Sequence, residues 1–167
     1  SRPDEDGRLI HLRPTDRERA PEELAERDWK RALELVRDDI GLWHLLAQSQ
    51  IATGDRDAAL ESYRQALEVE PDHPELWCNL AAILKQLGRV NESLEGWQKA
   101  LKINPENFAA LAGFGAIKVD QQEYAEARRF LEKAIQIEPS AHEPRGNLIL
   151  VVLGESEFDE AMEHFRK

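Results

Sequence analysis

Apolar and small residues recur along this chain with a period of 34 residues. The first copy of the pattern contains, in order, Trp43, Leu46, Ala47, Gly54, Ala59, Tyr63, Ala66 and Pro71. Adding 34 to each number gives a second copy from Trp77 to Pro105, and a third runs from Leu111 to Pro139. A partial fourth copy begins at Arg145. A period of this length is typical of repeat proteins, in which each repeat buries its apolar face against the next.

Helical spacing of the apolar residues predicts two antiparallel helices in each repeat, here named helix A and helix B. The predicted A helices span 41–53, 75–87, 109–121 and 143–153, and the predicted B helices span 57–70, 91–104, 125–138 and 159–167. A helix over 22–38 precedes them and has helix B character, because Ala25, Trp29 and Ala32 lie 34 residues before Ala59, Tyr63 and Ala66. The predicted segments are an irregular 1–21, a half-repeat helix 22–39, full repeats 40–73, 74–107 and 108–141, and a partial repeat 142–167.

Turn and capping residues agree with this division. Gly54 and Gly88 are predicted to end A helices in a left-handed conformation, which glycine adopts most easily. Asp57 and Asn91 are predicted N-caps of B helices, and Pro74 is predicted in a first helical turn. Two further copies of the turn depart from glycine. The third copy has Gln122 and the fourth has Ser156, although Gly154 could move the last turn earlier.

The recurring positions resemble the tetratricopeptide repeat family: a large residue, Leu with a small residue, a turn Gly, two small positions around an aromatic residue, and a closing Pro. The resemblance covers residues 40–167. It implies an all-α, right-handed superhelix (a solenoid) of antiparallel helix pairs, with about three and a half repeats. It also implies binding of a partner protein without catalysis, because proteins of this family are rarely enzymes themselves.

The A helices of such a superhelix line its concave surface, and helical geometry selects the side chains that point there. The predicted partner-binding groove consists of His44, Gln48, Glu75, Cys78, Asn79, Ala82, Ala109, Ala112, Gly113, Ala116, Asn147 and Leu150. The residues in its middle are small and apolar, so they leave room for a bulky side chain or a helix of a partner. Exposed apolar strips often mark binding sites, so we expect the partner to bind there. The alternative is that these small residues only permit tight packing between helices.

Two modes of binding known in the family can be compared with these positions. Asn79 and Asn147 share one repeat position, and an amide can pair with the backbone of an extended peptide whatever its sequence. In some superhelices of the family, asparagines at this position hold a substrate backbone. The second mode grips a chaperone's C-terminal carboxylate with Lys, Asn and Arg. The positions that match that clamp are His44, Gln48, Asn79, Ala109 and Gly113. The cations are missing, so we expect no carboxylate clamp.

The composition and charge of the chain restrict the classes of partner that it could bind. The net charge is −11, with 33% charged and 41% hydrophobic residues. This charge argues against nucleic acid, which needs clustered Lys and Arg, and favours a neutral or basic protein partner. The single cysteine, Cys78, excludes an internal disulfide and fits a reducing compartment. We find no membrane-spanning stretch and no signal-peptide core, so we expect no membrane insertion and a cytoplasmic location, or a periplasmic one if a signal has been removed.

The sequence contains no catalytic constellation, so we expect no enzyme activity, no metal and no cofactor. The five histidines, among them His73 and His142, form no paired motif with metal-ligand spacing. The main alternative is that the chain is the substrate-recruiting arm of a larger enzyme, such as a glycosyltransferase, or of an assembly factor. A third possibility is self-association, either through an open repeat end or through the apolar segment Leu9–Leu12, which could also pack as a strap on the next helix.

Overall fold

The computed structural model describes residues 21–166, and every regular element in that range is a helix. In chain order the helices are α1 Pro21–Leu35, α2 Ile40–Ala52, α3 Arg56–Val69, α4 Pro74–Gln86, α5 Val90–Ile103, α6 Phe108–Asp120, α7 Tyr124–Ile137 and α8 His142–Arg166. The helices α2 to α7 begin within one residue of their predicted starts. The predicted Leu9–Leu12 strap lies outside the described residues.

The chain divides into two compact units, which meet between Val69 and Glu70. In the first unit, α1 packs on α2, and α2 pairs with α3. In the second, α4 pairs with α5, α6 with α7, and α8 packs on both α6 and α7. The predicted sequence of A and B helices is therefore confirmed from α2 to α7.

Small residues let helices A and B of a repeat approach closely. Ala47 and Ala81 are completely buried in α2 and α4, and Gly115 is buried at the same repeat position in α6. A Cβ atom added to Gly115 would lie 2.8 Å from the side chain of Leu131 in α7. Because interiors are close-packed, a larger side chain would force the two helices apart.

Large residues fill the space between successive repeats, as predicted. In the second unit the Trp97 side chain of α5 joins one buried cluster with Ala110, Phe114 and Ile117 of α6. Two tryptophans also tie repeats together by hydrogen bonds. The indole nitrogen of Trp43 donates to the Arg37 carbonyl at 2.7 Å, and that of Trp77 donates to the Pro71 carbonyl at 2.8 Å. Each bond spans six residues and links an A helix to the backbone just before it, at an exposed site.

The turns confirm the role predicted for glycine. Gly54 has φ +86° and Gly88 has φ +74°, in the left-handed region. Gln122 occupies the same position in the third repeat with φ 61° and is not a glycine. An L-residue in this conformation costs about 1–2 kcal/mol, so the third repeat keeps the turn at the expense of strain.

Helix starts are partly as predicted. Pro74 is the first residue of α4, which confirms its placement. The predicted N-caps of the B helices are wrong. Asp57 lies inside α3, and the carboxylate that accepts a backbone N–H is that of Asp55, at 3.0 Å from the Ala58 nitrogen. Asn91 likewise lies inside α5, which has no side-chain cap.

The largest departure from prediction is α8, a continuous helix of 25 residues from His142 to Arg166. The sequence pattern predicted two helices, 143–153 and 159–167, separated by a turn near Ser156 or Gly154. Gly154 instead lies within the helix, where an added Cβ would meet the Tyr124 ring. The helical hydrogen bonds continue through Ser156, so among the described residues no B helix folds back on α8.

Candidate functional site

The predicted groove residues of the second unit lie on α4, α6 and the first half of α8. Contacts between these helices are close, since the Cys78 thiol lies 3.2 Å from the Asn107 side-chain oxygen at the start of α6. Further along, the Lys85 ammonium nitrogen is 4.0 Å from a carboxylate oxygen of Asp120. We name the accessible part of this surface the A-helix face. It comprises Glu75, Asn79, Ala82, Ala109, Asn147 and Leu150.

Accessibility varies along the A-helix face. Glu75 and Ala109 are exposed, and the Leu150 side chain is 52% exposed. Asn79, Ala82 and Asn147 are half-buried. A ligand lying on this face would therefore meet two amides, one carboxylate and several apolar groups.

Three predicted groove residues are buried instead. Cys78 is 5% exposed, Ala112 is 6% exposed and Ala116 is 5% exposed. The prediction of an exposed apolar strip in the middle of the groove is wrong at Ala112 and Ala116. The alternative that small residues permit tight packing between helices describes these two positions better.

Gly113 also has a packing role. A Cβ added at this position would lie 2.6 Å from two ring atoms of Trp97. The glycine therefore makes room for a buried indole of the preceding helix α5. This contact explains why the asparagine found at positions 79 and 147 is absent between them, because no side chain fits at 113.

The Cys78 thiol is unreactive near neutral pH in this environment. Burial raises its pKa to about 12, and the negative charge of Glu75 adds to the shift. Nucleophilic attack and metal binding need the thiolate, which is not formed near neutral pH at such a pKa. Its contact with Asn107 is structural, since the same Asn107 oxygen accepts the Ala110 backbone N–H at 3.0 Å and caps α6.

Two amides on the A-helix face are uncommitted. Asn79 and Asn147 occupy the same repeat position, and neither side chain has a hydrogen-bond partner among the residues that the structure describes. Both are half-buried. A half-buried amide without a partner loses little by accepting a hydrogen bond from a ligand, and it offers both donor and acceptor groups.

The first unit contributes two predicted residues on α2. His44 is half-buried, and its ring centroid lies 5.7 Å from that of Tyr63. Gln48 is exposed, one turn further along the same helix. Aromatic packing therefore holds the imidazole, whereas Gln48 is accessible to a ligand.

An open cleft of about 990 Å³ lies elsewhere in the first unit, between α1 and α3. Its lining includes Lys30, Glu34, Glu61 and Glu68, and no residue of the predicted groove. This cleft was not predicted from the sequence, because it lies between two B helices whose exposed faces carry no motif. Within its walls the Ser62 hydroxyl and the Gln50 amide oxygen are already paired at 2.7 Å.

The described residues include neither a metal site nor a membrane-spanning helix. Among them, no group of three or more His, Cys, Asp and Glu side chains could hold a metal ion. None of the helices in that part of the chain combines the length and the apolar character needed to cross a membrane.

Comparison with known protein families shows to which family this chain belongs. Three family models described as tetratricopeptide repeat match residues 40–83, 74–107 and 109–140, which together are more than half of the chain. The chain belongs to the tetratricopeptide repeat family. It is thus an all-α protein of the solenoid class, and its fold is one that serves as a scaffold for protein interaction. No curated protein sequence matches it.

Solved structures agree on this fold. A structure titled as MamA is 20% identical, with a TM-score of 0.75, over 94% of this chain and 93% of that one. A tetratricopeptide repeat protein from Parabacteroides merdae ATCC 43184 is 23% identical, with a TM-score of 0.74, over 87% of this chain and 58% of that one. The first tetratricopeptide repeat domain of Spaghetti (RPAP3), bound to the HSP90 peptide SRMEEVD, is 20% identical, with a TM-score of 0.67, over 70% of this chain and 93% of that one.

Proposed function

We propose that this tetratricopeptide repeat chain is a non-catalytic scaffold that binds a peptide or helix of a partner protein on its A-helix face. The observation that carries the proposal is the pair of half-buried amides at Asn79 and Asn147, which have no hydrogen-bond partner among the described residues. Two such amides, two repeats apart at the same repeat position, can each bind a backbone group of an extended segment.

Apolar contacts would supply the remaining affinity. Leu150 and Ala109 are exposed, and Ala82, which has the same repeat position as Leu150, is half-buried. A partner side chain that covers Leu150 gains from the removal of apolar surface from water, at roughly 25 cal/mol per Å². Because amides and apolar groups lie on the same face, we expect this face to prefer a partner segment that offers free backbone groups and an apolar side chain.

Charge restricts the partner further. Glu75 and Asp120 are exposed acids on this side of the second unit, and Lys85 is the base that lies near Asp120. The chain as a whole carries a net charge of −11. An acidic segment would be repelled during approach, so the favoured partner segment is neutral or basic.

Affinity capture from an extract of the source cells tests the proposal. The parent chain is compared with the double variant Asn79→Ala/Asn147→Ala and with a matched control, Gln98→Ala/Gln136→Ala, which removes two exposed amides from helices α5 and α7. We expect one protein to be retained by the parent and the control and lost by the asparagine variant. Each lost backbone hydrogen bond should cost about 0.5–1.5 kcal/mol.

The opposite pattern would contradict this assignment. Retention by the asparagine variant and loss by the glutamine control would place the binding surface on the B helices. Equal retention by all three chains would exclude both sets of amides. Circular dichroism of each variant is needed as a check that the helices are intact.

A further inference from the structure

Three apolar side chains form an exposed strip on the outer side of α8, here named the α8 strip. Ile149 is 61% exposed, Val152 is 46% exposed and Leu153 is 56% exposed. Their spacing of three and four residues places them on one helix face. Leu150, which belongs to the A-helix face, borders the strip, because it lies three residues before Leu153 on the same helix.

The position of Ile149 is covered in the preceding repeats, and that of Val152 is buried at Gln50 and Leu84, whereas Lys85, at the position of Leu153, is only half-buried. Ala47, Ala81 and Gly115 correspond to Ile149, and all three are buried beneath helix B of their own repeat. Ser93 of α5, for example, donates a hydrogen bond to the Ala81 carbonyl at 2.7 Å. The α8 strip therefore continues an interface that is already established three times in this molecule, but without its helix B.

Residues with helix B character do follow in the sequence. Ala161 and Phe165 lie 34 residues after Ala127 and Leu131, which are completely buried on α7. Because α8 is one continuous helix to Arg166, these positions lie further along its axis and not beside the strip. Glu155 contacts Arg128 near the start of α7, so the following residues 157–166 run past that end by about 15 Å at 1.5 Å per residue.

Two features disfavour closure within one chain. A short turn would hold the helices at the spacing of the other repeats, where an added Cβ at Gly96 already lies 2.9 Å from the Ala81 Cβ. Ile149 is much larger than Ala81 and would not fit at that spacing. Ser156 also replaces the residue that has positive φ in the three other turns, at Gly54, Gly88 and Gln122.

We propose that a second copy of this chain covers the strip. Residues 157–166 of one copy pack antiparallel on Ile149, Val152 and Leu153 of the other, and the exchange is reciprocal, as a two-fold interface requires. No turn links the two helices across this interface. Their separation can therefore adapt to Ile149, since packed helices lie 8–10 Å apart according to the side chains between them.

Cysteine pairs distinguish exchange from closure within one chain. Ile149 and Ala161 correspond to the backbone-bonded pair Ala81 and Ser93, so the variants Ile149→Cys and Ala161→Cys place thiols face to face. A mixture of the two single variants should give a disulfide-linked dimer under mild oxidation. The native Cys78 does not interfere, because it is buried. An intramolecular disulfide in the double variant at high dilution, with no cross-linked dimer in the mixture, would overturn the proposal.

Sedimentation of the full chain over a wide concentration range provides the second test. We expect a dimer whose dissociation constant rises more than about 100-fold in Ile149→Glu and in Leu153→Glu, because a buried carboxylate would lack a partner. The matched control is Leu45→Glu, an exposed leucine on α2, which should leave the dimer unchanged. A chain that stays monomeric, or a dimer that both strip variants leave intact, would overturn the proposal.

Discussion

At the scale of single residues, two glycines in successive A helices have opposite surroundings. Gly113 faces the buried indole of Trp97, and an added Cβ would come within 2.6 Å of it. Gly146 of α8 is exposed, and an added Cβ would meet no atom within 4 Å. The first glycine is needed for packing, whereas the second only lowers the helix propensity of its segment.

We predict that Gly113→Ala lowers the free energy of unfolding by about 1–3 kcal/mol, because the indole must shift in a packed core. Gly146→Ala should instead raise it by about 0.5–1 kcal/mol, since glycine within a helix costs that much relative to alanine. Urea unfolding followed by circular dichroism measures both. Equal effects of the two substitutions would show that Trp97 is not packed as described.

The ionisation of Cys78 makes the stability of the fold depend on pH in the alkaline range. Burial raises the thiol pKa from its ordinary value of 9.0 to about 12. Between these values the unfolded chain loses the thiol proton while the folded chain keeps it. The contribution to stability is therefore complete below pH 9 and is lost as the pH rises through that window.

We predict that the melting temperature of the parent falls more steeply above pH 9 than that of Cys78→Ala, which has no thiol to ionise. Burial also raises the pKa of Tyr63, from 10.0 to about 12, so Tyr63→Phe should flatten the curve only above pH 10. Calorimetry in a pH series provides the measurement. Parallel curves for the parent and Cys78→Ala would mean that the thiol is accessible in the folded state.

At the scale of elements, each A–B turn that stops a helix contains one residue with positive φ. Gly54 and Gly88 take positive φ without strain, and Gln122 takes it with strain. Ser156 stands at the same repeat position, and there α8 continues without a break. Because Gln122 makes the turn without being glycine, the residue type at this position does not by itself decide between a helical hairpin and a single long helix.

We predict that Gln122→Gly raises the free energy of unfolding by about 1 kcal/mol, because the left-handed conformation costs an L-residue about 1–2 kcal/mol. The reciprocal control is Gly88→Ala, where an added Cβ meets no atom within 4 Å and only the backbone is strained. That change should lower stability by a similar amount. Chemical denaturation resolves both shifts, and a destabilised Gln122→Gly would contradict the turn geometry.

At the scale of the whole molecule, net charge and the A-helix face limit the kind of ligand. The chain carries a charge of −11. The residues at the positions of a carboxylate clamp are His44, Gln48, Asn79, Ala109 and Gly113, and none is Lys or Arg. The structure adds that no side chain fits at Gly113. An anionic peptide end would therefore find no charged donor there.

We predict that the acidic peptide SRMEEVD, which is bound to the first tetratricopeptide repeat domain of Spaghetti (RPAP3), does not bind this chain measurably. Isothermal titration at low and moderate salt tests this, with the Spaghetti domain as the positive control. Saturable binding that Asn79→Ala abolishes would show that the amide alone recognises the carboxylate.

Particular residues show how far sequence reasoning reached. The burial of Ala47, Ala81 and Gly115 follows from a period visible in the sequence, because each repeats the same local contact. The burial of Ala112 and Ala116 does not follow, since it depends on the packing of neighbouring helices, which periodicity does not specify; Ala112, for example, joins a cluster with Ala134 of α7. Similarly, Asp57 and Asp55 are both plausible caps in the sequence, and only the backbone geometry shows that Asp55 accepts the hydrogen bond.

The sequence by itself determined the family, the helix pairs α2 to α7 and the left-handed turns at Gly54 and Gly88. These depend on contacts within one 34-residue period, so local spacing is sufficient. Only the tertiary structure decided that Cys78, Ala112 and Ala116 are buried, that Gly113 accommodates Trp97, and that α8 leaves its apolar strip uncovered. Those features depend on distances between helices and on whether a helix continues past its expected end, and both are set by packing across the whole unit.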